Sequence, residues 1–163
     1  MHNMLILCTG NSCRSIIGEA LLKHLGKGRV KAFSAGSRPT GLVNPNALAT
    51  LKNHGIATEG LYSKSLETFS DQHIDMTITV CDRAADEACP VYLKRTLRVH
   101  WGLPDPAQVT GTDEEIRAAF ESTYDALKSR IDTMLELPLR ELSDRELVTE
   151  LNKIGEMDIL DKE

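Results

Sequence analysis

No stretch of this 163-residue chain approaches the roughly 20 consecutive apolar residues that a helix needs to span a bilayer. Positive charge is also in deficit: 19 Lys and Arg stand against 24 Asp and Glu, and the net charge of −5 disfavours nucleic acid or an anionic membrane as a partner. The start, Met1-His2-Asn3-Met4, lacks the basic segment and long apolar stretch of a secretory signal, so a cytoplasmic location is expected. No internal repeat, low-complexity tract or linker interrupts the chain, and a single domain over residues 1–163 is expected. No pair among His2, His24, His54 and His73 has metal-ligand spacing, and neither spacing among the later cysteines matches a two-intervening-residue ligand pair. Cysteine itself is scarce, at four residues, and in a chain expected in the cytosol such thiols are more often catalytic, redox-active or metal-binding than structural disulfides.

What is present is concentrated in Leu7-Cys8-Thr9-Gly10-Asn11-Ser12-Cys13-Arg14-Ser15. A short apolar run precedes it and an amphipathic pattern follows, so a strand delivers Cys8 into a tight turn that feeds a helix N-terminus. Successive backbone N–H groups in such a turn form a nest for an anion, and the helix dipole adds positive potential. Gly10 permits a strained backbone step. Arg14 supplies a planar two-pronged donor suited to a tetrahedral oxyanion, and the same field favours the reactive thiolate form of Cys8. Residues Thr9, Gly10, Asn11, Ser12, Cys13, Arg14 and Ser15 are therefore the expected oxyanion cradle, with Cys8 as a nucleophile directed at its central atom. The loop is not a nucleotide-binding P-loop, because no Gly-Lys-Ser/Thr closes it. The plain alternative is a small buried cysteine at a strand end followed by an ordinary turn.

Along the chain, residues 4–7 read as a first strand, 12–25 as a helix capped by Gly26, and 30–34 as a second strand. Asn44-Pro45 reads as an N-cap with proline at the first helical position, and Gly55 stops that helix. Residues 74–80 form the best third strand, ending at Cys81, and 97–99 a short fourth. Thr112 with Glu115, and Ser143 with Glu146, are capping boxes ahead of two further helices, and the acidic tail from Glu156 is expected to fray. Strands alternating with helices predict a parallel sheet covered on both faces, an α/β three-layer domain. In such a fold Cys8, Cys81 and the residues after Val99 converge beyond the carboxyl ends of the strands.

Three further features carry candidate chemistry. Asp105, between Pro104 and Pro106, is held in a loop at the active edge, where a protonated carboxyl can serve a leaving oxygen; an Asp that only initiates a turn is the alternative. Cys81 and Cys89, eight positions apart, could pass a disulfide outward from a Cys8 adduct, or be zinc ligands, or be inert buried thiols. Cys13 could line the cradle, pack in the core, or trap oxidised Cys8 as a disulfide. His100 and Trp101 could shape the site, although a satisfied, partly buried histidine and a core tryptophan are the simpler reading. Lys94, Arg95 and Arg98 form a small basic cluster of the kind that is usually a solvated face.

With Cys8-Thr-Gly-Asn-Ser-Cys-Arg14-Ser15, Ser34-Ala35-Gly36, Cys81, Cys89-Pro90 and His100-Trp101-Gly102-Leu103-Pro104-Asp105-Pro106, the chain resembles the arsenate reductases built on the low-molecular-weight protein tyrosine phosphatase fold. The match runs in order to about residue 135, and residues 143–163 form a C-terminal helix and tail outside the family core. The resemblance implies a four-stranded parallel sheet, Cys8 as nucleophile, Arg14 and the loop amides on the oxyanion, and Asp105 as general acid. In the reductase branch it implies Cys81 and Cys89 as second and third redox thiols. It implies arsenate as substrate with phosphate and sulfate as competing anions, no bound cofactor, and a monomer. Thioredoxin is the usual electron donor, but the Cys81–Cys89 interval is one residue longer than the thioredoxin-coupled pattern, so glutathione with glutaredoxin stays open. Lys64 stands where some relatives carry an acidic residue that helps bind potassium, and its ammonium could replace the cation, so no metal is expected. The rival reading is a phosphatase in which water discharges a phospho-Cys8, for which Cys81 and Cys89 are not required. A third is a non-catalytic oxyanion-binding protein or thiol switch that turns over no oxyanion.

Overall fold

The computed structural model describes residues 2–81 and 96–161. Cys89, Lys94 and Arg95 lie outside the described residues. Four parallel strands form one open sheet in the order β2-β1-β3-β4: β1 His2–Cys8, β2 Val30–Gly36, β3 Met76–Thr79 and β4 Leu97–His100. Four α-helices among the described residues flank the sheet: α1 Arg14–Leu25, α2 Pro45–Asn53, α3 Asp113–Leu135 and α4 Asp144–Asp161. The α/β expectation, with a parallel four-stranded sheet between helical layers, matches this architecture.

β1 is interior to the sheet, so its residues must satisfy two apolar faces at once. Met4, Leu5 and Ile6 are each at most 1% exposed, an unbroken apolar run rather than an alternating one. The register sets Cys8 beside Gly36 at one end of β1, and Leu7 beside Thr79, which in turn pairs with His100. Parallel pairing therefore brings the exits of β1, β3 and β4 to one edge. The chain leaves β1 toward β2 on one side and reaches β3 on the other, so the end of β1 lies at the point where the strand order reverses.

Both capping boxes form. Thr112 and Glu115 exchange side-chain and backbone contacts at the start of α3, and Ser143 and Glu146 do so ahead of α4. Asn44 caps α2 through its side chain, with Pro45 at the first position.

Several boundaries differ from expectation, β1 (expected over 4–7) and β4 (expected over 97–99) among them. Helix α1 begins at Arg14 rather than residue 12, because Asn11 takes a left-handed φ of 47° and Cys13 becomes the N-cap. β2 runs on to Gly36, since β1 offers a partner as far as Cys8. β3 spans only four residues, the length that its register with β1 and β4 provides, so Cys81 sits two residues past its end. Helix α4 continues to Asp161 instead of fraying from Glu156.

Candidate active site

The loop between β1 and α1 turns its carbonyls outward. Those of Thr9, Gly10 and Ser12 accept from the backbone N–H groups of Arg38, Thr40 and Asn44 at 2.9, 3.0 and 3.1 Å. With the carbonyls occupied by that neighbouring segment, the amides of Ser12, Cys13 and Arg14 have no backbone or side-chain acceptor among the described residues. The first two precede α1 and the third opens its first turn, an arrangement of free N–H groups able to receive an anion. Gly36 makes the close approach possible: a Cβ there would lie 2.5 Å from Thr9 O and 3.0 Å from Asn11 N, both backbone atoms that have little room to yield.

Cys8 is buried, and its sulfur receives the Asn11 N–H at 3.2 Å. Ser15 Oγ lies 2.9 Å from the same sulfur. Asn11 Nδ2 donates to Ser15 Oγ at 2.8 Å, which leaves the serine proton free to point at Cys8. Asn11 Nδ2 also donates to Ser34 Oγ at 2.9 Å, while Asn11 Oδ1 accepts from Lys64 N at 2.9 Å. Ser34 Oγ in turn donates to Glu19. The amide of Asn11 is thus a fully buried hub that fixes the loop from behind.

Behind that hub is a charged group that sequence reasoning missed. Glu19 is 2% exposed, yet it lies on the apolar stripe of α1 with Ile16 and Ala20, and an acid in that position is the signal that could have exposed it. Lys64 Nζ reaches Glu19 Oε1 and Ser34 Oγ, both at 3.2 Å, and Tyr62 O at 2.9 Å. Lys23 Nζ holds the other Glu19 oxygen at 2.5 Å. Burial pushes the Lys64 ammonium below its ordinary range, with the Glu19 charge and hydrogen bond acting against that drop. No group of three or more His, Cys, Asp or Glu among the described residues could hold a metal ion.

Arg14 faces the loop that follows β4. Its Nη1 donates to Leu103 O at 2.9 Å, and its Nη2 lies 3.6 Å from Asp105 Oδ2. Asp105 also caps the short 3-10 turn Pro106–Gln108 by accepting from Ala107 N at 3.0 Å. Asp105 therefore starts a turn, as the simpler reading expects, and its carboxylate stands beside Arg14 of the Cys8 loop. Arg130, another polar residue on an apolar helical stripe, is 2% exposed and donates to Trp101 O at 2.8 Å. Cys13 is buried in the core, and its burial, reinforced by the Asp105 carboxylate, pushes its thiol up to about 12.

Cys81 is 3% exposed and lies 3.4 Å from Thr9 Oγ1, so the second candidate thiol adjoins the loop that carries the first. Trp101 is buried as expected. His100 is exposed rather than partly buried, with Nδ1 2.7 Å from Thr79 Oγ1, because it alternates with buried Val99 on an edge strand. Arg98 is exposed.

The model of the family described as low molecular weight phosphotyrosine protein phosphatase matches residues 3–148, nearly the whole of this architecture. The chain belongs to that family. Within it, the arsenate reductase of Halalkalibacterium halodurans is 41% identical over 130 residues, covering 80% of this chain and 92% of that protein. A solved arsenate reductase in a phosphate-binding state is 26% identical with a TM-score of 0.65, covering 82% of this phosphatase-family chain and 98% of its own. The thioredoxin-dependent arsenate reductase of Corynebacterium glutamicum is 25% identical with a TM-score of 0.63, over 83% of this chain and 61% of that one.

Proposed function

We propose that this phosphatase-family protein reduces arsenate to arsenite with electrons from its own thiols. The Cys8 thiolate attacks arsenic inside the loop, Arg14 and the loop amides hold the oxyanion, and Asp105 gives a proton to the departing oxygen, which leaves as water. The Cys81 thiolate then attacks Cys8 sulfur. As the Cys8–As bond breaks, its electron pair stays on arsenic, giving arsenite and a Cys8–Cys81 disulfide. Cys89 attacks Cys81 and frees the Cys8 thiolate. An external dithiol or glutathione system reduces the resulting Cys81–Cys89 disulfide. Donors aimed at Cys8, from Asn11 N and Ser15 Oγ, stabilise the thiolate each time it is released.

The observation that carries the reading is Cys81 at 3.4 Å from Thr9 Oγ1. A hydrolytic phosphatase needs no second thiol against its nucleophile's loop. The names of the relatives support arsenate as substrate, and the thioredoxin-dependent relative supports an external thiol reductant. Such reductants operate where thiols are kept reduced, so this reading carries a cytoplasmic location with it. Hydrolysis of phosphate monoesters is the second reading, favoured by the family match itself, and it requires only Cys8, Arg14 and Asp105.

The test is arsenate-dependent NADPH oxidation coupled through thioredoxin or through glutathione with glutaredoxin, for wild type, Cys81→Ser and Cys89→Ser. Wild type is expected to turn over and both serine variants to stop. Aryl-phosphate hydrolysis is expected to survive both changes and to vanish in Cys8→Ser. Serine variants that reduce arsenate at the wild-type rate would overturn the relay.

A further inference from the structure

Helix α4 has most of its length beyond residue 148, where the family match ends. It packs on β4, the edge strand from which the Asp105 loop departs. Three contacts fall within two residues of that exit. Trp101 Nε1 donates to Leu151 O at 2.8 Å, and His100 N donates to Asn152 Oδ1 at 3.1 Å. At Gly155 the helix comes so close that an added Cβ would lie 2.7 Å from both His100 O and Trp101 Cδ1. Leu151, Ile154 and Trp101 are all buried in this seam, so the contact is packed and not a surface touch. From the other side, Arg130 holds Trp101 O and reaches Gly102 O at 3.4 Å.

Past Gly102 the contact with α4 thins, and Leu103 is held instead by Val80 O, which accepts its N–H at 3.0 Å, and by Arg14 Nη1 at 2.9 Å. A groove of about 730 Å³, lined by His100, Leu103, Pro104, Asn152 and Glu156 among others, separates α4 from the outer side of the loop. The helix therefore acts on residues 103–105 through the 100–102 backbone. Pro104 and Pro106 stiffen the short span that transmits the position. Proton transfer to a leaving oxygen demands hydrogen-bond reach, and a displacement near 1 Å is worth about 100-fold in rate.

We propose that α4 is a brace that sets the position of the Asp105 carboxyl, with Asn152 and Gly155 as positioning residues for the proton-donating step. The proposal rests on the reading of Asp105 as the acid, and two independent readouts separate its failure from failure of that reading.

The first readout uses full-length protein and two esters, phenyl phosphate and p-nitrophenyl phosphate, compared by kcat/KM, which reports the step in which the ester oxygen leaves. Phenolate is the poorer leaving group and needs the proton more. Gly155→Ala should lower kcat/KM about tenfold on phenyl phosphate and less than about twofold on p-nitrophenyl phosphate. Asn152→Ala, which removes one hydrogen bond and keeps the packing, should act in the same direction by about twofold to threefold. In an Asp105→Asn background neither change should matter further. Equal losses on both esters, or losses that persist in that background, would overturn the brace.

The second readout is hydrogen exchange at the Ala107 amide, which Asp105 Oδ1 accepts. Exchange should accelerate in Gly155→Ala and less so in Asn152→Ala; unchanged exchange in both overturns the proposal. If wild type hydrolyses neither ester, the phosphatase reading falls, and the exchange data alone still decide whether α4 holds the loop.

Discussion

Arg14 binds the loop that carries Asp105: its Nη1 donates to Leu103 O at 2.9 Å while its Nη2 sits 3.6 Å from the Asp105 carboxylate. One guanidinium thus links the Cys8 loop to the Asp105 loop, and only a planar fork can serve both directions at once. A lysine at this position keeps the charge and loses the second arm. Arg14→Lys should lower kcat/KM for arsenate and for aryl phosphates by about 10²- to 10³-fold, the scale of losing one oxyanion donor. Steady-state kinetics on both substrates checks this, and a loss below about fivefold would mean that the fork is not used.

Asn11 predicts a stability effect larger than its size suggests. Its side chain joins Ser15, Ser34 and the Lys64 backbone with no exposure to solvent. Asn11→Ala leaves those partners buried and short of a bond, at about 2–4 kcal/mol in total. Urea unfolding should show a lower midpoint with an unchanged slope. The same variant should lose activity, because Ser15 is then free to turn away from Cys8.

How far each of these features could be read from the chain follows from the range of the forces involved. The helix starts at Asn44-Pro45, Thr112 and Ser143 were legible because a cap and the N–H it accepts from lie within three residues of each other. The loop around Cys8 was legible because strand, turn and helix follow in one unbroken segment. The hub at Asn11 was not, since two of its three partners lie 23 and 53 positions away, where no periodicity reaches. Glu19 and Arg130 left a trace, each being a charged residue on a helix's apolar stripe, but the trace names no partner. The seam between Trp101 and Leu151 spans 50 positions and had no sequence signal at all.

Lys64 and Glu19 give a prediction about salts and pH. With the ammonium 3.2 Å from Glu19 Oε1, arsenate reduction should run equally fast in potassium and sodium salts at one ionic strength. Lys64→Met leaves Glu19 buried with Lys23 as its remaining cation, and should destabilise the fold by about 3 kcal/mol in calorimetry or urea unfolding. Burial lowers the folded-state pKa of Lys64 below its ordinary 10.5, so the unfolded chain binds that proton more tightly. Wild-type stability should therefore gain a rising contribution between the folded value and 10.5, and Lys64→Met should lack it. Identical pH slopes in the two proteins would refute the assignment.

Cys13 separates the three roles that its position in the loop leaves open. Burial, followed by the Asp105 carboxylate, pushes its thiol up to about 12; the Ser12 hydrogen bond opposes the rise, and smaller effects of Cys8 and Arg14 act in opposite directions. A thiol held neutral is a poor attacker of an oxidised partner, so packing fits better than trapping. In native protein at pH 8, Cys13 should stay unmodified by iodoacetamide, as read by peptide mass spectrometry. The stability consequence has a definite sign. The unfolded thiol releases its proton near 9.0 and the folded one near 12, so the contribution is complete below pH 9 and lost as pH rises toward 12. Cys13→Ala should flatten that alkaline decline by at most about 1.4 kcal/mol per pH unit. Urea midpoints at pH 8, 9.5 and 10.5 would show it, and parallel declines in the two proteins would place Cys13 outside the titration.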